Sequence, residues 1–133
     1  MTQGNVALVR SAYQAFNDRD SEALKGLVTP DFQLDASTAT DGAQHHGPDA
    51  FEEIFQAIRE RWADFRLDPL ELYESGDRVL VLGTLLARAH DRKPFASVAG
   101  QVWTVRDGKL TAMRAFLSSE EAIRDAGLTR LLT

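Results

Sequence analysis

Residues 98–128 read VAGQVWTVRDGKLTAMRAFLSSEEAIRDAGL, and this stretch decides the fold of the chain. Two apolar runs flank Asp107-Gly108, which is a strong hairpin signal because glycine adopts the positive φ that tight turns need. Ser118 is followed three residues later by Glu121, the pattern of a capping box at a helix start. The stretch therefore predicts a strand, a tight turn, a second strand and a short helix.

The residues before this stretch alternate between helical and strand patterns. Apolar residues at helical spacing predict a first helix over about 4–17 and a longer one that opens at Gly47-Pro48. Between them, a shorter helix that Asp20 or Ser21 can cap is predicted to carry apolar residues from Ala23 to Val28. Alternating polar and apolar residues predict a strand over 32–36 and a weaker strand over 43–46. Helices and short strands thus share the first half of the chain.

Strand patterns dominate from Phe65 to the last helix. Strands are predicted over 65–74, 78–90, 95–106 and 109–117, and the long helix before them carries an apolar stripe that ends at Trp62. Pro69 cannot donate to a ladder, so the strand that contains it is expected at a sheet edge or at a bulge. Early helices followed by clustered antiparallel strands are typical of the α+β class.

Composition restricts the possible functions. The 133 residues suit one domain with a substantial core, and the net charge of −5 argues against a nucleic-acid partner, which needs a basic stripe. The absence of cysteine excludes disulfides, thiolate catalysis and thiolate metal sites. The first residues lack the apolar core of a signal peptide, and no apolar run reaches the length of a membrane span. A cytoplasmic protein without a membrane partner is expected.

Longer segments carry a family resemblance that covers nearly the whole chain. They are VRSAYQAFNDRDSEALKGLVTPDF near the start, HHGPDAFEEIF in the middle, and ESGDRVLVLG, GQVWTVRDGKL and MRAFLSSEEAIRDAGL towards the end. In this order and spacing they resemble the nuclear transport factor two-like superfamily, and within it the SnoaL-like and ketosteroid-isomerase-like branch. The resemblance implies a single domain over 1–133, a cystatin-like α+β cone whose curved antiparallel sheet packs on N-terminal helices around an apolar pocket. It also implies a homodimer formed through the outer face of the sheet.

Strand alternation and the family pattern together predict the lining of this pocket. An unpaired buried charge is very costly, so Arg114 should face outward and its neighbours on the strand inward. By the family pattern, Gln101 and Trp103 point inward with them. The predicted inward residues are Tyr13, Phe16, Leu34, Ala36, Phe55, Trp62, Gln101, Trp103, Met113, Ala115 and Leu117. The same residues would also fill an ordinary core, in which the Gln101 amide would be satisfied by the backbone or by a neighbouring tyrosine.

The catalytic groups that the resemblance implies are missing from this sequence. The carboxylate base of ketosteroid isomerases falls at Ala36, and their helical tyrosine falls at Ala12, with Tyr13 about 100° further around the helix. Their neutral aspartic acid falls at Gln101, whose amide can donate a hydrogen bond to a ligand but cannot abstract a proton. Ser118 stands where many relatives carry an aspartate. No catalytic residue is therefore assigned.

His45 and His46 are adjacent side chains that titrate near neutral pH, close to the expected rim of the pocket. By alternation one of them should face inward, where it could carry a proton, and the alternative is that both are exposed to solvent. His90 has no acidic partner placed by spacing, and a metal site needs ligands from more than one element. Neither a metal nor a cofactor is predicted.

Two functions fit these observations. The first is a SnoaL-like protein that binds a small, largely apolar molecule in the cone pocket and, if it is an enzyme, isomerises, cyclises or hydrates polyketide- or steroid-like compounds. In that case Gln101 would anchor a ligand carbonyl or hydroxyl, and His45, His46 or Tyr13 would carry the proton. The second is a non-catalytic module of the same fold that binds a ligand or a protein partner.

Overall fold

The computed structural model describes residues 2–38, 44–116 and 118–128, and for residues 2, 3 and 36–38 the backbone alone. The helices are α1 (Thr2–Asn17), α2 (Ser21–Lys25), α3 (Ala50–Arg61) and α4 (Ser119–Asp125). The strands are β1 (Val28–Thr38), β2 (Gln44–His46), β3 (Trp62–Ser75), β4 (Arg78–Ala89), β5 (Phe95–Arg106) and β6 (Lys109–Phe116). None of these helices is long and apolar enough to cross a membrane.

The N-terminal helices follow the predicted pattern, with one difference at the end of α2. Asp20 caps this helix, because its side chain accepts a hydrogen bond of 3.1 Å from the backbone N–H of Ala23. The prediction that the helix continues to Val28 is wrong, since α2 ends at Lys25 and Val28 begins β1. The helix ends at the C-cap Gly26, and a tighter hydrogen bond of 3.0 Å from the Leu27 N–H to the Leu24 carbonyl closes its last turn.

The sheet has the strand order β2-β1-β6-β5-β4-β3. The predicted α+β class is confirmed, but the sheet is mixed instead of wholly antiparallel, because β1 and β6 run parallel. The other neighbouring strands are antiparallel. The parallel pair arises because α3 carries the chain from β2 at one edge to β3 at the other, and the following strands return one by one to β1.

Strand β3 lies at the edge of the sheet and is bulged, as Pro69 predicts. Its pairing with β4 shifts register between Pro69 and Glu71, which removes the ladder hydrogen bond that a proline cannot make. The bulged strand approaches Gly83 so closely that a Cβ atom there would lie 2.1 Å from the backbone oxygen of Asp68. Glycine at this position is therefore required by the bulge.

Both faces of the sheet pack against helices. The inner face, which faces α1 and α3, buries a core in which Phe32, Phe51 and Leu110 are at most 1% exposed. The outer face packs on α4, where Leu80 and Val102 belong to a smaller apolar cluster. This division of side chains follows the period-two alternation of β4 and β5.

The predicted hairpin and capped helix at the end of the chain are confirmed. Asp107 and Gly108 both have positive φ, of 54° and 77°, as a tight turn between twisted strands requires. The Ser118 hydroxyl accepts a hydrogen bond of 3.3 Å from the backbone N–H of Glu121 at the start of α4. A Cβ atom at Gly100 would lie 2.6 Å from the Cβ atom of Ala122, so this glycine permits α4 to lie directly on β5.

Candidate functional site

Most of the predicted inward residues come together on the inner face of the sheet. Each is at most 6% exposed: Tyr13, Phe16, Leu34, Phe55, Gln101, Trp103, Met113 and Ala115. The predicted inward side chains of Ala36 and Leu117 lie outside the described residues. Alternation along β5 and β6 therefore placed these side chains on the correct face.

The strand register explains why these residues meet. Trp103 pairs with Met113, and Met113 pairs with Leu34 on the parallel strand, so the three side chains form one row across the inner face. Gln101 pairs with Ala115 in the next row. α1 crosses these rows and brings its tyrosine over both of them.

Tyr13, Gln101 and Trp103 form a buried hydrogen-bonded relay. The Tyr13 hydroxyl donates to Oε1 of Gln101 and accepts a hydrogen bond of 3.1 Å from Nε1–H of Trp103. The two rings meet edge to face, with centroids 5.7 Å apart and planes at 70°. Tyr13 is thus the neighbouring tyrosine that the core alternative expects, and it pairs with the oxygen of the Gln101 amide.

Burial controls the charge of this relay. Removal of the Tyr13 hydroxyl from water raises its pKa well above the usual range, and the hydrogen bond from Trp103 opposes this shift only in part. Tyr13 is therefore a neutral phenol at physiological pH, and its hydroxyl stays protonated and donates a hydrogen bond to Gln101. It supplies no base at neutral pH.

An aromatic layer from α1, α3 and β1 surrounds the relay. Phe51 stacks between Phe32, at a centroid distance of 5.3 Å, and Trp103, at 6.5 Å. Phe16 packs on Phe55 at 5.2 Å. The predicted lining omitted Phe32 and Phe51, although Phe51 belongs to the apolar stripe of α3, because the period of a helix does not show which strand its side chains meet.

Arg19 closes one end of this aromatic layer. Its guanidinium lies 5.2 Å from the ring centroid of Phe16 and 5.4 Å from that of Phe55, and it donates a hydrogen bond of 2.7 Å to the Phe16 carbonyl. Partial burial, with a further contribution from the charge of Arg59, lowers the pKa of Arg19. The half-buried cation stabilises the end of α1 against β3.

Trp62 occupies a different place from the predicted one. The prediction that it ends the stripe of α3 is wrong, because the helix ends at Arg61 and Trp62 has the extended angles of −121° and 136°. It is half-buried and packs against Phe65 and Phe95, with centroids 6.0 and 5.7 Å away. This position is at the border of the core and away from the Gln101 relay.

The structure separates the two adjacent histidines. His45 pairs with Leu34 and shares the inner face, where its Nδ1 lies 2.9 Å from Oε1 of Glu53 on α3. His46 pairs with Gln33, faces outward, and lines a groove of about 190 Å³ on the outer face. No local pattern in the sequence indicates the contact with Glu53, because it depends on how α3 crosses the end of β2.

Metal ligation has no support among the residues that the structure describes. No group of three His, Asp or Glu side chains converges there in the way that would hold a metal ion.

Sequence comparison assigns the chain to a family. The family profile described as the SnoaL-like domain matches residues 9–113. The chain belongs to the SnoaL-like domain family. None of the curated protein sequences matches this SnoaL-like domain.

Solved structures with the same fold confirm the predicted resemblance to nuclear transport factor two-like proteins. An NTF2-like protein of unknown function from Burkholderia pseudomallei is 28% identical, with a TM-score of 0.76 over 91% of this chain and 95% of the other. TerC, co-crystallised with polyporic acid, is 25% identical, with a TM-score of 0.78 over 93% of this chain and 98% of the other. A proposed polyketide cyclase from Xanthomonas campestris pv. campestris is 21% identical, with a TM-score of 0.76 over 94% and 98%. The last likeness shows the fold alone.

Proposed function

We propose that this SnoaL-like domain binds a small, largely apolar molecule on the inner face of its sheet, with Gln101 as the polar contact. The observation that carries this proposal is a buried amide, 6% exposed, in an otherwise apolar wall. A buried amide lowers stability unless it is fully paired, so an amide at this position favours a role beyond packing. Concave apolar surfaces with a few placed polar groups are typical of ligand sites.

The likeness to TerC supports a small organic ligand. TerC was co-crystallised with polyporic acid and is 25% identical over 93% of this chain. Polyporic acid is an aryl-substituted quinone, so it combines apolar rings with carbonyl oxygens. An aromatic wall that contains Phe51, Phe55 and Trp103 beside one amide suits this chemistry.

Isothermal titration calorimetry with polyporic acid tests the proposal. We expect binding to the wild type, at least tenfold weaker binding to Gln101→Leu, and unchanged binding to Thr104→Val, a control on the same strand whose side chain faces outward. No heat of binding for the wild type at about 1 mM polyporic acid, where a complex is worth about 4 kcal/mol, would contradict the proposal.

A second candidate function is proton transfer by His45, favoured by the contact between its Nδ1 and Glu53. A carboxylate at one ring nitrogen orients the imidazole, and a positioned imidazole is the commonest general base in proteins. His45 would take a proton from a carbon next to a ligand carbonyl, and the C–H electron pair would form the enolate. The proton on His45 would exchange with solvent, and His45 would then return a proton to carbon. This step is common to isomerisation and cyclisation of polyketide- or steroid-like ketones.

Deuterium exchange into the methyl group of 2-acetylnaphthalene, followed by NMR in D₂O, tests this second function. We expect exchange above the buffer rate for the wild type, loss of that exchange in His45→Gln, and its retention in His46→Gln, the adjacent histidine on the opposite face. Exchange at the buffer rate in the wild type, or undiminished exchange in His45→Gln, would leave binding as the function.

We infer that two copies associate through the part of the outer face that α4 leaves uncovered. Leu86 and Val98 are 38% and 56% exposed there, beside a groove of about 630 Å³. Ion pairs of 2.9 Å, Arg88 with Asp64 and Arg66 with Asp68, flank this surface. A two-fold axis can place each arginine against an aspartate of the partner, so the surface is self-complementary.

Multi-angle light scattering after size-exclusion chromatography tests this association. We expect a dimer for the wild type, a monomer for Leu86→Asp, and a dimer for the control Gln56→Asp, which changes an exposed residue of α3 on the inner side. A monomeric wild type, or a dimer that survives Leu86→Asp, would contradict the inferred interface.

A further inference from the structure

The direction of the hydrogen bonds in the Gln101 relay determines which ligand atom the site can recognise. The indole of Trp103 has an N–H donor and no acceptor nitrogen, so the Tyr13 oxygen must accept at their 3.1 Å contact. The hydroxyl proton of Tyr13 then remains to be donated to Gln101. The amide oxygen is the only acceptor that the Gln101 side chain offers to this hydroxyl, and Oε1 indeed faces Tyr13, so the NH₂ group lies at the other side of the amide.

We infer that Gln101 is a one-sided anchor that presents N–H donors and selects a ligand with a hydrogen-bond acceptor, such as a ketone, quinone or ether oxygen. A molecule whose only polar group is a hydrogen-bond donor would place that donor against the N–H groups of Gln101, so it would bind weakly. This inference rests on the proposed function, because it assumes that the ligand lies on the inner face. Tyr13 and Trp103 act as positioning residues that fix the amide.

Packing prevents the relay from reversing. The Trp103 ring is held between the edge contact with Tyr13 and the stacked ring of Phe51, so its N–H keeps one direction. Tyr13, Gln101 and Trp103 are 4%, 6% and 3% exposed, so bulk water has little access to exchange the partners. The cross-strand neighbours of Gln101 are Ala115 and Val81, whose side chains carry no acceptor that would compete for the amide hydrogens.

The polarity of the anchor has a measurable consequence for affinity. A bound ligand that lacks an acceptor leaves a buried N–H of Gln101 without a partner. The free-energy penalty of this unsatisfied group exceeds the net contribution of a typical hydrogen bond. We therefore expect a preference of about tenfold for a ketone over the alkene of the same shape, which is equivalent to about 1.4 kcal/mol. An alcohol, which can donate or accept, should bind between the two.

Neutron diffraction from deuterium-exchanged crystals of the wild type tests the relay without any ligand. We expect one deuteron on the Tyr13 oxygen, directed at Gln101, and two on Nε2 of Gln101, directed away from Tyr13. Deuterons of the Gln101 amide that point at the Tyr13 oxygen would overturn the inference. This measurement needs no substitution, so a failure to fold cannot obscure it.

Titrations with 2-acetylnaphthalene and 2-isopropenylnaphthalene, in which CH₂ replaces the carbonyl oxygen, test the selectivity. We expect the ketone to bind the wild type about tenfold more tightly, no preference in Gln101→Leu, and a reduced preference in Tyr13→Phe, where the amide can turn either way. Tyr73→Phe is the matched control, since Tyr73 bonds to Glu71 and packs beside the outer cluster.

The outcomes separate this inference from the proposed function. Equal binding of ketone and alkene to the wild type, or a full preference that persists in Tyr13→Phe, would overturn the one-sided anchor while leaving ligand binding intact. Failure of both compounds and of polyporic acid to bind would contradict the proposed function. The neutron result would then decide the orientation of Gln101 by itself.

Discussion

The Gln101 relay makes a strong prediction about stability through Tyr13→Phe. Removal of one hydroxyl leaves two buried groups without partners, the N–H of Trp103 and the amide oxygen of Gln101. Each unsatisfied group costs about 1–3 kcal/mol, so the loss should be about 2–6 kcal/mol, although the phenyl ring keeps its contact with the indole. This is a large fraction of the 5–15 kcal/mol that is typical of a domain.

A double-mutant cycle with Gln101→Leu isolates the relay from the packing. Gln101→Leu alone leaves only the Tyr13 hydroxyl without an acceptor, and the double variant leaves only the Trp103 N–H without one. The double variant should therefore lose less stability than the sum of the single variants, by the cost of two unsatisfied groups, about 2–6 kcal/mol. The sign of this coupling follows from the direction of the hydrogen bonds.

Urea unfolding followed by circular dichroism at 25 °C measures the four free energies of unfolding. Tyr73→Phe provides the control, because Tyr73 is half-buried and its hydroxyl bonds to Glu71 on the outer face, so its loss should cost less than about 1 kcal/mol. A cost for Tyr13→Phe as small as that of the control would refute the reasoning. Strict additivity, within about 0.5 kcal/mol, would also refute it.

Two further predictions concern other parts of the fold. In Gly100→Ala, the new methyl group would lie 2.6 Å from Ala122, so α4 must move and the free energy of unfolding should fall by about 1–3 kcal/mol in urea unfolding. Gly4→Ala is its control, since no atom lies within 4 Å of a Cβ atom placed there, and its free energy of unfolding should stay the same or rise slightly. Equal losses of stability in the two variants would show that α4 does not rest on β5. Because the pKa of Tyr13 is raised in the folded state, its contribution to stability is complete below about pH 10 and is lost as the pH rises further through the folded pKa. In absorbance titrations at about 295 nm, Tyr73 should ionise first. Tyr13→Phe should therefore leave the first ionisation step in place, and Tyr73→Phe should remove it. Loss of the first step in Tyr13→Phe would show that Tyr13 is accessible to solvent.

Local sequence patterns predicted those features of the site that depend only on the repeat of a single strand or helix. Alternation placed Gln101, Trp103 and Met113 on one face, because a strand repeats every two residues and one face must be apolar. The capping pattern at Ser118 located the start of α4 for the same local reason. These features need no knowledge of which strands are neighbours.

The contacts that sequence analysis could not supply depend on pairing between distant segments. The parallel pairing of β1 with β6 sets the row that joins Leu34 to Met113, and no periodicity encodes it. The contact of His45 with Glu53 depends on where α3 crosses β2, and Trp62 leaves the helical stripe because extended backbone begins at that residue. Each of these outcomes is a tertiary effect that overrides a local preference.

The distance between the two polar groups of the inner face constrains what one ligand can do there. His45 lies on β2 and Gln101 on β5, three strand spacings apart in the order β2-β1-β6-β5. His45 shares its row with Trp103 and Gln101 lies in the next inward row, so at about 4.8 Å per strand spacing and about 7 Å between rows their backbones are roughly 16 Å apart. A ketone whose carbonyl is held by Gln101 keeps the carbon next to that carbonyl at the same end, so a ligand with one carbonyl can use the anchor or the histidine but not both. Only a longer molecule, with one acceptor at Gln101 and a second carbonyl beside His45, would use both groups, so the number and spacing of its carbonyls separate anchored binding from catalysis in this fold.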